Sequence, residues 1–148
     1  MLQYRILLGC FVICLAGCGG SGSTESTLEV FPVSGTVTVD GKALQSVTVF
    51  FDPQEGTKGT GGGAVTDASG NFKVLYRDDR EGVPQGTYKV LFSHLVQPDG
   101  SPIPQDATAA DVGAVNSLPG KYNDPENTPV SATVKATNEP FKFELKTK

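Results

Sequence analysis

Apolar and polar residues alternate along most of the chain after Pro32. A period of two places every second side chain on one face of a β-strand, so this alternation predicts strands with one buried face. The alternating segments are 33–39, 47–51, 72–76, 88–92, 132–136 and 141–145. A short stretch at 64–66 adds a seventh strand, and no strong helix pattern intervenes. The pattern therefore predicts an all-β fold, an antiparallel seven-stranded β-sandwich.

Two turns predict how neighbouring strands pair. Asp40-Gly41 separates the first two alternating segments and suits a type I′ turn, whose two central residues need positive φ. We therefore expect 33–39 and 47–51 to form a hairpin. Asn138-Glu139-Pro140 separates the last two segments and predicts a closing hairpin.

The segment 94–129 interrupts the alternation. It is rich in proline and has no sustained period, and such long connections inside a domain are uncommon and usually functional or mobile. We expect a long loop here, before the last hairpin, with one short helix from Asp106 to Val112. The carboxylates that could converge on a cation in this loop are Asp106, Asp111, Asp124 and Glu126.

The N-terminal residues have a different composition. Residues 6–16 are apolar or small and follow Arg5, and this stretch is shorter than the roughly 20 residues of a membrane-spanning helix. It is typical of a secretory signal. Its end, Leu15-Ala16-Gly17-Cys18, resembles the lipobox of bacterial lipoproteins. The glycine- and serine-rich run that follows Cys18 is typical of a flexible tether.

The lipobox resemblance implies cleavage between Gly17 and Cys18. It also implies a diacylglycerol on the Cys18 sulfur, usually with a third acyl chain on the amine. Two or three chains anchor a protein stably, whereas one chain holds only marginally. The implied organisation is a lipoprotein signal peptide at 1–17, a lipidated flexible tether at 18–29 and a β-sandwich domain at 30–148. The alternative is an ordinary cleaved signal in which Cys18 is incidental.

Such an anchor implies a cell-envelope location, with the lipid as the contact to the membrane. Gly19 follows Cys18 where an aspartate would indicate retention in the inner membrane of proteobacteria. The outer membrane is therefore favoured, with the domain facing the periplasm or the cell surface.

Charge and cysteine content exclude several classes of function. The chain has 12 basic and 16 acidic residues, and the basic residues are scattered, so nucleic acid is not an expected partner. The three cysteines are Cys10, Cys14 and Cys18. A domain that begins at residue 30 therefore has no disulfide and no thiolate metal site. We expect no metal, and no cofactor beyond the covalent lipid on Cys18.

Several strings in the domain resemble a known family. Residues 33–44, with the sequence VSGTVTVDGKAL, are similar to the start of carboxypeptidase regulatory-like domains, and 66–72 and 86–90 continue the likeness. The tail at 118–145 resembles small lipoproteins common in planctomycete bacteria. The resemblance implies a transthyretin-like (prealbumin-like) sandwich and carries no established catalytic role.

Two alternatives for the chemistry stay open. His94 is the only histidine, and with a nearby serine or aspartate it would suit an envelope hydrolase, although no Gly-x-Ser-x-Gly pattern exposes a serine. Asp67, Ser69 and Asn71 alternate around a turn and offer oxygen ligands, which would suit a calcium-stabilised adhesion module. Aspartate and asparagine in such turns more commonly cap their own backbone.

The string Tyr122-Asn123-Asp124 is the most motif-like part of the long loop. One interpretation is a ligand-facing loop on a rigid scaffold. The other, which we favour, is a tyrosine that fixes the connection to the sandwich, followed by an Asx turn before proline. The sequence thus predicts a non-enzymatic envelope lipoprotein whose sandwich is a binding or structural module. As a binding module it would take an envelope protein or a glycan as its partner, and the sequence leaves open which.

Overall fold

The structure, a computed structural model, describes residues 28–148. The predicted signal peptide at 1–17, the cleavage site at Gly17 and Cys18, and the tether up to residue 27 lie outside the described residues. The described part is all-β, as the alternation predicts. Within it, no helix is long and apolar enough to cross a membrane.

Eleven strands and one short 3-10 helix make up residues 28–148. In chain order they are β1 (Ser34–Val39), β2 (Lys42–Ala43), β3 (Thr48–Pro53), β4 (Gly62–Val65), β5 (Asn71–Lys73), β6 (Leu75–Tyr76), β7 (Gly86–Ser93), β8 (Leu95–Val96), β9 (Val115–Asn116), the 3-10 helix (Gly120–Tyr122), β10 (Ser131–Val134) and β11 (Phe141–Leu145). Four of the strands have only two residues, too few to show a period. The predicted count of seven strands is therefore not confirmed.

The strands form two main sheets and a ribbon. The large sheet has the order β10-β7-β3-β4-β6 and is antiparallel throughout. The small sheet has β1 at its centre, with β11 on one side and both β2 and β5 on the other. Strands β8 and β9 form a separate two-stranded ribbon.

The two main sheets share one hydrophobic core. Phe51 of β3 lies 6.4 Å from Phe72 of β5 and 6.3 Å from Phe143 of β11, measured between ring centroids. Phe92 of β7 lies 5.3 Å from Phe143 in an edge-to-face arrangement. Because rings of the large sheet contact rings of the small sheet, each sheet buries the apolar face of the other, which is the β-sandwich arrangement.

The sandwich is not antiparallel throughout, because β1 and β11 run parallel, with Gly35 opposite Phe141 and Val39 opposite Leu145. The predicted closing hairpin is also wrong, since β10 pairs with β7 in the large sheet while β11 joins the small sheet. Both strands bury one face in the same core. Their alternation would therefore be the same whichever sheet they joined, and the sequence pattern could not distinguish the two.

The first predicted hairpin has the expected turn but a different second strand. Asp40 and Gly41 have φ of 49° and 81°, as a type I′ turn requires. The turn joins β1 to the short β2, whereas the next segment, β3, belongs to the large sheet. The chain therefore passes from the small sheet to the large sheet between β2 and β3, and Thr66 stabilises this crossing. Its hydroxyl accepts a hydrogen bond from the backbone N of Val47 at 2.9 Å and donates to the carbonyl of Leu44 at 2.6 Å.

Two other segments differ from their predictions. The segment 72–76 is divided between the sheets, since β5 pairs with β1 and β6 pairs with β4. The short helix predicted from Asp106 to Val112 is replaced by turns. Oδ2 of Asp111 accepts hydrogen bonds from the backbone N of Thr108 at 2.9 Å and from its hydroxyl at 2.7 Å. These bonds close a turn where the helix would have continued.

We predict that Gly35→Ala destabilises the fold strongly. A Cβ at this position would lie 2.2 Å from the carbonyl oxygen of Phe141 and 2.8 Å from the Phe72 ring, so strand or core must shift, at a cost of about 2 kcal/mol or more. Gly120→Ala is the matched control, because a Cβ there meets nothing within 4 Å. Denaturant unfolding measures both variants. Equal midpoints for the two would contradict the close approach of β1 and β11.

Candidate functional site

The two ends of the sandwich carry different parts of the chain. We call the end of the sandwich at which β7 starts the near end, and the end at which β7 stops the far end. Leu28 lies at the near end, where its carbonyl accepts a hydrogen bond from Arg80 Nη1 at 2.6 Å. Phe31 pairs with Val83 at the same end. The 94–129 connection begins at the far end, where β7 stops. Strand β7 is eight residues long, so the two ends are about 26 Å apart along it.

The ribbon of β8 and β9 closes the base of the 94–129 connection. Oδ1 of Asn116 reinforces this closure by accepting hydrogen bonds from the backbone N of His94 at 3.0 Å and of Leu118 at 3.1 Å. The connection is therefore anchored at its base, with 97–114 as its tip. This ribbon could not be predicted from the sequence, because two-residue strands that are far apart in the chain show no period.

His94 lies beside the ribbon with its ring half-buried. Its Nδ1 is 2.7 Å from the hydroxyl oxygen of the exposed Ser117, and the backbone N of Ser117 donates to the His94 carbonyl at 2.9 Å. Burial lowers the pKa of the imidazole, which favours its neutral form. The hydrolase alternative requires a serine or an aspartate near His94, and Ser117 supplies the hydroxyl. Among residues 28–148 no carboxylate forms a hydrogen bond with the ring. The hydrolase alternative therefore stays a prediction.

Tyr122 is buried and fixes the connection to the sandwich. Its ring meets Phe92 of β7 perpendicularly, with 6.4 Å between centroids. Its hydroxyl accepts a hydrogen bond at 2.9 Å from the backbone N of Lys146, directly after β11. One side chain thus joins the connection to both sheets. This leaves Asn123 and Asp124 as the accessible part of the predicted string.

Asp124 organises the turn that follows. Its Oδ1 accepts from the backbone N of Glu126 at 2.8 Å, and its Oδ2 accepts from the side-chain amide of Asn127 at 2.6 Å. The Asn127 amide is the main cause that holds the pKa of this carboxyl below its usual value. Both carboxylate oxygens are therefore engaged within the turn. The ammonium of Lys89 on β7 fixes the turn further by donating to the carbonyls of Pro125 and Glu126.

Asp67, a residue of the calcium alternative, has a comparable environment. Its Oδ1 accepts from the backbone N of Ser69 at 2.8 Å and of Asn71 at 2.9 Å. The Asn71 backbone N–H is the main cause that lowers the pKa of the Asp67 carboxyl. In the described part of the chain, no three histidine, cysteine or acidic side chains form a group suited to a metal ion. The contacts of Asp67 are those of a turn residue that caps its own backbone.

Comparisons with known proteins identify no relative. No family model, no curated protein and no solved structure matches the chain. The likeness to carboxypeptidase regulatory-like domains therefore rests on the sequence strings quoted above.

We predict that the protein loses stability as the pH falls from 7 to 5. The His94 imidazole has a lower pKa in the folded protein than in the unfolded chain, where histidine titrates near 6.5. In this window the unfolded chain binds more protons, so acidification favours unfolding. Thermal unfolding at pH 7, 6 and 5 measures the effect. His94→Gln is the control and should have a flatter pH profile; identical profiles would refute the prediction.

Proposed function

We propose that the chain is a non-enzymatic lipoprotein of the bacterial cell envelope, anchored through Cys18, whose β-sandwich is a binding module. The observation that carries the proposal is the placement of Leu28 at the near end of the sandwich and of the β8–β9 ribbon, which closes the base of the 94–129 connection, at the far end. A domain held at a membrane by its N-terminus presents its opposite end to partners. Loops on a rigid scaffold are where binding residues commonly lie.

The dimensions of the chain suit this arrangement. The proposed tether is the ten residues 18–27, and a flexible chain of that length and composition would span roughly 17 Å. Strand β7 adds about 26 Å between the near and far ends. A lipid on Cys18 would therefore hold the near end close to the headgroups and the far end well clear of them.

The proposed fold family is that of carboxypeptidase regulatory-like domains, with their transthyretin-like sandwich. Its support is the order of the motifs along the chain together with two sheets that share one core. The proposed location is the outer membrane, on the strength of Gly19 after Cys18, with the domain facing the periplasm or the cell surface.

The far end offers a partner both apolar and polar groups. Leu95 and Val115 of the ribbon are 44% and 46% exposed, and Asn123 is exposed beside the buried Tyr122. The hydrogen bonds of Asn116 and of Tyr122 already fix the backbone here, so a partner would meet a surface that needs little further ordering. Exposed aliphatic groups on a fixed surface favour an envelope protein as the partner at this end.

We predict that labelled palmitate enters the wild-type chain in a bacterial host and does not enter Cys18→Ala. The reason is that only the cysteine that ends the lipobox-like string carries the lipid. Cys14→Ala is the matched control and should label like the wild type, because Cys14 leaves with the signal. Gel fluorography of the purified protein reads the result. Equal label in Cys18→Ala, or none in the wild type, would rule out the anchor.

A further inference from the structure

A groove of about 450 Å³ lies against the paired strands β1 and β5. Residues of both strands line it, together with Val65 and Asp67 around the end of β4 and Pro140 before β11. Its volume is within the range of sites for small molecules, about 300–1,000 Å³. The groove does not involve the 94–129 connection, so it is a second candidate surface.

The polar side chains of the groove come from opposed residues on the two strands. Ser34 lies opposite Lys73, and Thr36 lies opposite Asn71. Side chains of directly opposed residues are close neighbours on one face, with Cβ atoms about 5 Å apart. Ser34 and Lys73 are therefore neighbours at one position of this face, and Thr36 and Asn71 are neighbours at the other.

Three of these polar groups have no partner within residues 28–148. The ammonium of the exposed Lys73 forms no ion pair or hydrogen bond there, and the hydroxyls of Ser34 and Thr36 form no hydrogen bond. Asn71, by contrast, is oriented by the donation of its amide to Oδ2 of Asp67 at 3.3 Å. The groove thus offers uncommitted donors on a fixed framework.

The charged side chains and the apolar walls of the groove indicate which class of ligand it would bind. Asp67 also lines the groove, but its carboxylate already accepts from Ser69 and Asn71. Asp67 keeps its negative charge, and Lys73 is the one cationic residue among the described residues that line the groove, so Lys73 is the group that would pair with a ligand carboxylate. Val65 is 63% exposed, and Pro140 is exposed as well, so the walls also offer apolar surface.

We propose that this groove binds a saccharide unit that carries a carboxylate. The carboxylate pairs with Lys73, the ring hydroxyls bond with Ser34, Thr36 and Asn71, and the C–H face of the ring lies on Val65 and Pro140. The groove uses none of the residues proposed to bind at the far end. It also does not depend on the lipid, so its failure is distinguishable from a failure of the anchor or of the far-end surface.

Calorimetric titration of the full chain in detergent tests this inference. The acidic probes are trigalacturonate and the disaccharide of N-acetylglucosamine and N-acetylmuramic acid; galactotriose is the neutral probe, and acetate the bare carboxylate. We expect at least one acidic saccharide to bind at least about tenfold more tightly than galactotriose, which lacks the charge-assisted hydrogen bond, and than acetate, which lacks the contacts of the sugar ring. Absence of binding by both acidic probes, or equal binding of galactotriose or acetate, overturns the proposal.

Substitutions inside and outside the groove test whether the acidic saccharide binds there. Lys73→Gln should weaken affinity for the acidic saccharide about tenfold, and Thr36→Val should weaken it less. Lys42→Gln removes the same charge from an exposed strand position outside the groove and should bind like the wild type. Unchanged binding by Lys73→Gln, or an equal loss in Lys42→Gln, would show that the groove is not the site.

Discussion

Ring contacts between Phe143 of the small sheet and Phe51 and Phe92 of the large sheet hold the two halves of the domain together. The cysteines all lie at or before position 18, so no disulfide can link the sheets. Burial of each aromatic ring contributes about 1.5–3 kcal/mol, and edge-to-face contact adds to this. Three other features are attached to this core: the link at Thr66 between the two sheets, the parallel pairing of β1 with β11, and the closed base of the 94–129 connection.

The core could be predicted from the sequence, because burial of one face imposes a period of two. The alternating residues of β7, Tyr88, Val90 and Phe92, are fully buried, and the Asp40-Gly41 turn has the positive φ values expected. The pairing partners could not be predicted. Strands β10 and β11 bury the same kind of face in the same core from opposite sheets, so their alternation carries no information about which sheet they join.

The candidate surfaces were harder to predict from the sequence than the core. The sequence favours Tyr122 as a residue that fixes the connection, and its contacts with Phe92 and Lys146 have that geometry. The contact of His94 with Ser117 depends on a ribbon whose strands are too short to show a pattern. The groove joins 34–36 to 71–73, which meet only because β1 pairs with β5. Such sites arise from pairing between distant segments.

In the orientation that we propose, the near end of the sandwich faces the membrane and the far end faces away. Its most direct test uses protein purified from the membranes of a bacterial host; under the proposed processing, Cys18 is the one cysteine left and the lipid would block it. A fluorophore is placed on Glu55→Cys, just after β3 at the near end, or on Asp106→Cys, within the connection. Quenching by headgroup-labelled lipid is then measured on vesicles. The account predicts stronger quenching at position 55 than at 106; equal or reversed quenching would contradict it.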